Sequence, residues 1–130
     1  MKIPKHIQEI IHKQEVHILS TSTKDGMPNI IYLKFLKVYT DEQILIANNK
    51  FSKTEKNILE NPRISFVVMD LENRKAYQLK GTVEIHKDDK IYEDTLEWVK
   101  TKRPDMDPPK SGVILTIQEI YCGAEAIMEE

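Results

Sequence analysis

A chain of 130 residues with 40% hydrophobic and 31% charged side chains can bury a core of its own, and it is expected to form one globular domain over residues 1–130. A formal charge of −2 withholds the broad electrostatic attraction that nucleic-acid binding needs, so no nucleic-acid partner is expected. No apolar run reaches the roughly 18–20 residues that span a bilayer. The N-terminal MKIPKHIQEIIHK has no signal-peptide core and Cys122 is the single cysteine, so a cytoplasmic protein without a membrane partner is expected.

In chain order, Pro4 to about Gln14 reads as a short amphipathic helix, with Ile7, Ile10 and Ile11 on one face and Pro4 suited to the first turn. Val16–Thr23 is β-branched and runs into the turn signal Lys24-Asp25-Gly26-Met27-Pro28, which predicts a strand entering a hairpin. Asn29–Val38 is expected as the second strand and Gln43–Asn48 as the third, joined by short turns in an antiparallel meander.

The stretch Asn48–Asn61, NNKFSKTEKNILEN, follows as a polar loop and a helix start. Ser52 and Glu55 have the S-x-x-E spacing of a capping box. Lys53 and Thr54 then fall in the first turn, where the macrodipole favours anions over cations. Backbone donors, hydroxyls, a helix N-terminus and a lysine together describe a phosphate site. They describe a solvated helix start equally well, and from these residues alone both readings stand.

Asn61-Pro62 ends that helix, because proline disfavours the helical conformation in the residue before it. Arg63–Asp70 is a fourth strand whose apolar centre predicts burial on both faces. Lys75–Lys87 is a longer fifth strand, and Gly81 at its middle predicts a bulge or bend. Asp88 to about Lys102 returns to helical spacing, with acid at its start and Lys100, Lys102 and Arg103 at its end. Arg103–Gly112 is a loop, Val113–Tyr121 a sixth strand carrying Cys122 at its end as a packed residue, and the acidic tail after Gly123 is expected to be loose. A meander without βαβ alternation excludes a Rossmann-type sheet. Six strands with a central bend favour a small barrel, mainly β within the α+β class, with three flanking helices.

No separate catalytic constellation is legible. His6, His12, His17 and His86 lack metal-ligand spacing, and neither a G-x-S-x-G elbow nor a Walker loop is present. Asp70 and Asp88-Asp89 are explained by turn and cap roles. Trp98 is read as a packed residue of its helix.

The order of segments nevertheless resembles a known family. Ile31-Tyr32-Leu33-Lys34, Ile44–Asn48, Ser52-Lys53-Thr54-Glu55 with Asn57, Asn61-Pro62-Arg63, Ile64–Met69 and Leu79–Glu84 follow one another as in the FMN-binding split-barrel family related to pyridoxamine 5'-phosphate oxidase. The K-T-E-x-N run is most similar to the small FMN-binding proteins of sulfate-reducing bacteria. The resemblance implies a six-stranded antiparallel split β-barrel and a homodimer with FMN at the subunit interface. It assigns the phosphate to Ser52, Lys53 and Thr54, runs the flavin along Ile31, Tyr32, Leu33 and Lys34, and sets Ala47, Asn48, Asn49 and Phe51 near the ribityl chain and ring. Thr54 stands where the family often has a second cation, and Lys34 could supply that charge. Tyr77, Gln78 and Trp98 are candidates for contacts from the partner subunit.

Flavin would carry the redox chemistry, so the expected function is an FMN-dependent oxidoreductase, flavin reductase or electron carrier, exchanging electrons with a small molecule or a redox protein. An F420-dependent reductase of the same fold and a non-catalytic flavin-binding module are the alternatives. Pyridoxamine 5'-phosphate oxidase activity itself is disfavoured, because no arginine follows Arg103 and no histidine follows His86.

Overall fold

In the computed structural model, which describes residues 1–128, three helices pack on a curled, wholly antiparallel sheet. The elements are α1 (Lys5–Lys13), β1 (His17–Ser22), β2 (Pro28–Leu33), β3 (Leu36–Thr40), β4 (Gln43–Asn48), α2 (Lys53–Glu60), β5 (Arg63–Asp70), β6 (Lys75–His86), α3 (Lys90–Lys102), β7 (Ser111–Cys122) and β8 (Glu125–Ala126). Strand order is β2-β1-β5-β6-β7-β4-β3, with β8 added against β7. The architecture is the expected split half-barrel, built from eight strands rather than six.

The first extra strand comes from a break in the run expected to be continuous over Asn29–Val38. β2 pairs with β1 while β3 pairs with β4, at opposite ends of the strand order. The chain therefore crosses the open seam of the barrel at Lys34–Phe35. There the Phe35 carbonyl accepts a hydrogen bond from the Ala47 N–H at 3.0 Å. The second extra strand corrects the loose tail. Gly123 takes φ +61°, a conformation other residues adopt at a cost, and turns Glu125–Ala126 back onto Tyr121 and Cys122. Glu129 and Glu130 lie outside the described residues.

Gly81 produces the expected irregularity, a register shift between Lys80 and Gly81 in the β6–β7 ladder. A Cβ at that position would lie 1.9 Å from the Thr116 carbonyl oxygen, so the two backbones can approach only because no side chain is present. The bulge bends the two longest strands and closes them over the core. That core holds Leu19, Ile44, Ile46, Phe66, Leu79, Leu115 and Ile117. β5, expected to be buried on both faces, alternates instead: Ile64, Phe66 and Val68 point inward while Met69 is 47% exposed.

Each helix covers a different part of the barrel. α1 lays Ile7 and Ile11 onto it, each buried side chain contributing roughly 1.5–3 kcal/mol. α2 packs on β1 and β2, and α3 on β4 and β7. Asp89 caps α3 as its acidic start predicts, accepting the Tyr92 N–H at 3.1 Å. Trp98 on α3 is half-buried, edge-on to Phe35 at 5.4 Å and beneath the Lys37 ammonium at 4.6 Å.

At the start of β1, His17 is 1% exposed, its Nε2 without a partner, its ring edge-on to Phe66. Burial holds its pKa below the usual 6.5. The neutral ring is thus the folded form, and protonation favours the unfolded chain. Stability should be full above about pH 6.5 and fall as pH drops below it, by at most about 1.4 kcal/mol per pH unit. Urea midpoints for His17→Met and the parent chain at pH 7.5 and 5.5 check this: the variant should lose less stability on acidification.

Candidate functional site

The loop between β4 and α2 is held by one buried side chain. Asn48 is fully buried; its Oδ1 accepts the Phe51 N–H at 3.0 Å and its Nδ2 donates to Ser111 Oγ at 3.0 Å. Its backbone carbonyl accepts the Lys110 N–H at 2.7 Å, and the Lys110 ammonium reaches the Phe51 carbonyl at 2.9 Å. Short polar side chains bonding the backbone a few residues on are what make such turns compact. The result is a loop tied to β4 behind it and β7 beside it, with Phe51 buried underneath.

The capping box expected at Ser52 does not form. Ser52 sits at φ −127°, ψ −80° and makes no side-chain cap hydrogen bond. Glu55 lies instead near the Asn48 amide, Oε1 to Nδ2 3.5 Å. The helical ladder begins with the Lys56 N–H on the Ser52 carbonyl. The first-turn N–H groups before it therefore have no partner in the helix and none in the Ser52 side chain. The exposed Lys53 sits among them. An uncapped helix start next to an ammonium group suits an anion better than it suits solvent.

Behind this turn a polar network docks α2 onto the sheet. Thr54 is buried, and its Oγ1 accepts from Asn29 Nδ2 at 3.0 Å. The same amide lies 3.3 Å from Thr21 Oγ1, which also accepts from Asn57 Nδ2 at 3.0 Å. Asn61 Nδ2 donates to Ser22 Oγ at 3.0 Å. Asn29 thus reaches the helix start from β2, a contribution the sequence did not disclose.

α2 and the β1–β2 hairpin enclose a cleft of ≈ 910 Å³, lined among others by Lys24, Asn29, Lys53 and Lys56. Among the described residues none of these three lysines enters an ion pair. The cations that share this cleft with Lys53 are Lys24 and Lys56; Lys34, the expected second charge, is exposed at the seam and does not line it.

The other expected contacts divide. Ile31 and Leu33 are half-buried against the core, while Tyr32 is 76% exposed. Ala47 is buried in β4. Asn49 brings a buried Oδ1 with no hydrogen-bond partner, an acceptor that a ligand donor would satisfy. Tyr77 is a core residue, 4% exposed and edge-on to His6, while Gln78 is exposed. The uncapped first-turn amides, the non-capping Ser52 hydroxyl and Lys53, unpaired among the described residues, form a donor set that fits the phosphate of a cofactor such as FMN, and Asn49 adds an unsatisfied acceptor.

Because Asn48 makes bonds in two directions from a dry position, Asn48→Ala should cost about 1–3 kcal/mol, the penalty of leaving buried partners unsatisfied. Chemical denaturation measures that cost, and hydrogen exchange should show the Phe51 amide among those losing most protection.

The comparisons agree with this architecture. The family model described as pyridoxamine 5'-phosphate oxidase matches residues 3–122. An uncharacterized protein of Methanocaldococcus jannaschii is 37% identical over 111 residues, 84% of this chain and 73% of its own length. Among solved structures, Group A Streptococcus HupZ superposes with TM-score 0.84 at 24% identity, covering 98% of this chain and 99% of that one. An FMN-binding protein from Syntrophomonas wolfei superposes with TM-score 0.72 at 17% identity, covering 92% and 90%. The fold is shared at similar distance by an F420 reductase (TM-score 0.70, 17% identity, covering 92% and 94%) and by HutZ, the heme storage protein of Vibrio cholerae (0.69, 16%, 94% and 95%). With the match running from the first residues of α1's approach to the end of β7, the chain belongs to the pyridoxamine 5'-phosphate oxidase family.

Proposed function

We propose that this protein binds FMN and works as an oxidoreductase, flavin reductase or electron carrier. The observation that supports the reading is the start of α2, where the first-turn N–H groups are unclaimed, the Ser52 hydroxyl makes no cap bond and the exposed Lys53 is unpaired among the described residues. Lys53 supplies the charge-assisted contact, worth roughly 1.5–3 kcal/mol, and the helix terminus adds about 0.3–1 kcal/mol. Thr54 serves mainly to dock the helix through Asn29, which keeps the phosphate turn in place. The flavin, when bound, supplies hydride or electron transfer, and the chain supplies binding, orientation and exclusion of water. Residues Ile31 to Lys34 would run along the ring, with Lys34 placing positive charge at the seam end.

The same reading makes the protein a homodimer. The outward face of β1 and β2 exposes Ile18, Ile30 and Tyr32, at 45%, 69% and 76%. Tyr32 lies in register beside Ile18, which lies beside Val67. A contiguous apolar stripe on a sheet face is a surface that association would cover. No helix among the described residues is long and apolar enough to cross a membrane, and the half-buried free Cys122 suits a reducing cytoplasm.

The existence of an F420 reductase and a heme storage protein on this fold makes deazaflavin the second reading and heme the third. The visible spectrum of the purified protein, before and after dithionite, separates all three. For the phosphate assignment, Lys53→Ala should weaken FMN about tenfold or more while riboflavin, which lacks the phosphate, loses little. Equal losses for both ligands in a fluorescence titration would overturn it.

A further inference from the structure

The cleft extends well past the helix start. Lys53, Lys56, Asn57 and Glu60 occupy one face of α2, and all four line it opposite the Thr23–Asn29 hairpin. From Lys53 to Glu60 the helix advances about 10 Å. At ≈ 910 Å³ the space falls within the range of about 300–1,000 Å³ typical of whole small-molecule sites, far more than one phosphate occupies.

Its chemistry also changes along its length. Lys53 stands at the near end, and Lys56 follows one turn on. Glu60 closes the far end, and Lys24 and Asp25 face the helix from the hairpin. None of these five charges is in an ion pair among the described residues. Met27, 68% exposed, and Pro28 add an apolar surface to the hairpin wall. The hairpin that presents them is ordered by its own bonds: Thr23 Oγ1 accepts the Met27 N–H at 2.9 Å, and Gly26 turns at φ +95°.

Cations for phosphates, carboxylates for a ribose diol and an apolar ledge for a base are the three chemistries of a nucleotide. Building on the FMN reading, we infer that this cleft holds a second nucleotide attached to the flavin phosphate, so that the site takes flavin adenine dinucleotide in preference to FMN. Lys53 meets the first phosphate and Lys56 with Lys24 the second. Glu60 and Asp25 accept hydrogen bonds from the ribose hydroxyls, and the base rests on Met27 and Pro28.

Titration of the apoprotein with riboflavin, FMN and FAD, followed by flavin fluorescence, tests this. FAD should bind about tenfold tighter than FMN. An Asp25→Ala/Glu60→Ala double variant, altered only at exposed positions and checked for folding by circular dichroism, should lose that preference while its FMN affinity holds or tightens. FAD binding no tighter than FMN in the parent chain, or an unchanged preference in the double variant, would overturn the inference and leave the phosphate site standing. FMN binding no tighter than riboflavin would overturn both.

Discussion

The carboxamide of Asn48 is the interaction on which the site depends. It ends β4 fully buried and bonds forward to the Phe51 amide and sideways to Ser111 on β7. Burying an amide without partners costs several kcal/mol by transfer measures, so the side chain is tolerable there only because both its ends are bonded. The consequence is positional. The chain is forced through a tight loop, Phe51 drops into the core, and α2 starts at one defined place over β1 and β2. Lys110 repeats the constraint from outside through its hydrogen bond to the Phe51 carbonyl. A helix start held from two sides is pre-organised for a ligand and need not order itself on binding.

The barrel explains why that start faces a cleft. Gly81 lets β6 and β7 bend over the core, and the kink at Lys34–Phe35 carries the chain across the seam from β2 to β3. β2 is thereby left as an edge strand whose hairpin lies beside α2. The network of Thr21, Asn29, Thr54 and Asn57 joins that hairpin to the helix, and the space beyond it is the cleft. Fold and site are linked through the same few polar side chains.

Much of the fold was legible because local signals were strong. β4 and β5 have the expected bounds, Asn61-Pro62 ends α2, and Gly81 marks the bulge. The seam was not legible: IIYLKFLKV has no glycine or proline to announce a break, and the kink arises from which neighbours the two halves pair with. The capping box failed for a related reason. Its spacing was right, but Glu55 sits near the buried Asn48 amide and Ser52 adopts dihedrals from which its hydroxyl does not cap. Lysine at positions 24 and 56 and Asn29 could not be assigned to the site because only the folded hairpin brings them to α2. Lys53, by contrast, was visible from its place in the first turn, where the structure leaves it exposed beside uncapped amides.

The uncapped first turn of α2 is the proposed seat of the phosphate. Amide chemical shifts of the isotopically labelled protein, titrated with FMN and separately with riboflavin, test it most directly. The amides of Lys53, Thr54 and Glu55 should shift strongly with FMN and little with riboflavin. Equal shifts with both ligands, or FMN perturbing the ring-end residues of β2 while these three amides stay still, would place the phosphate elsewhere.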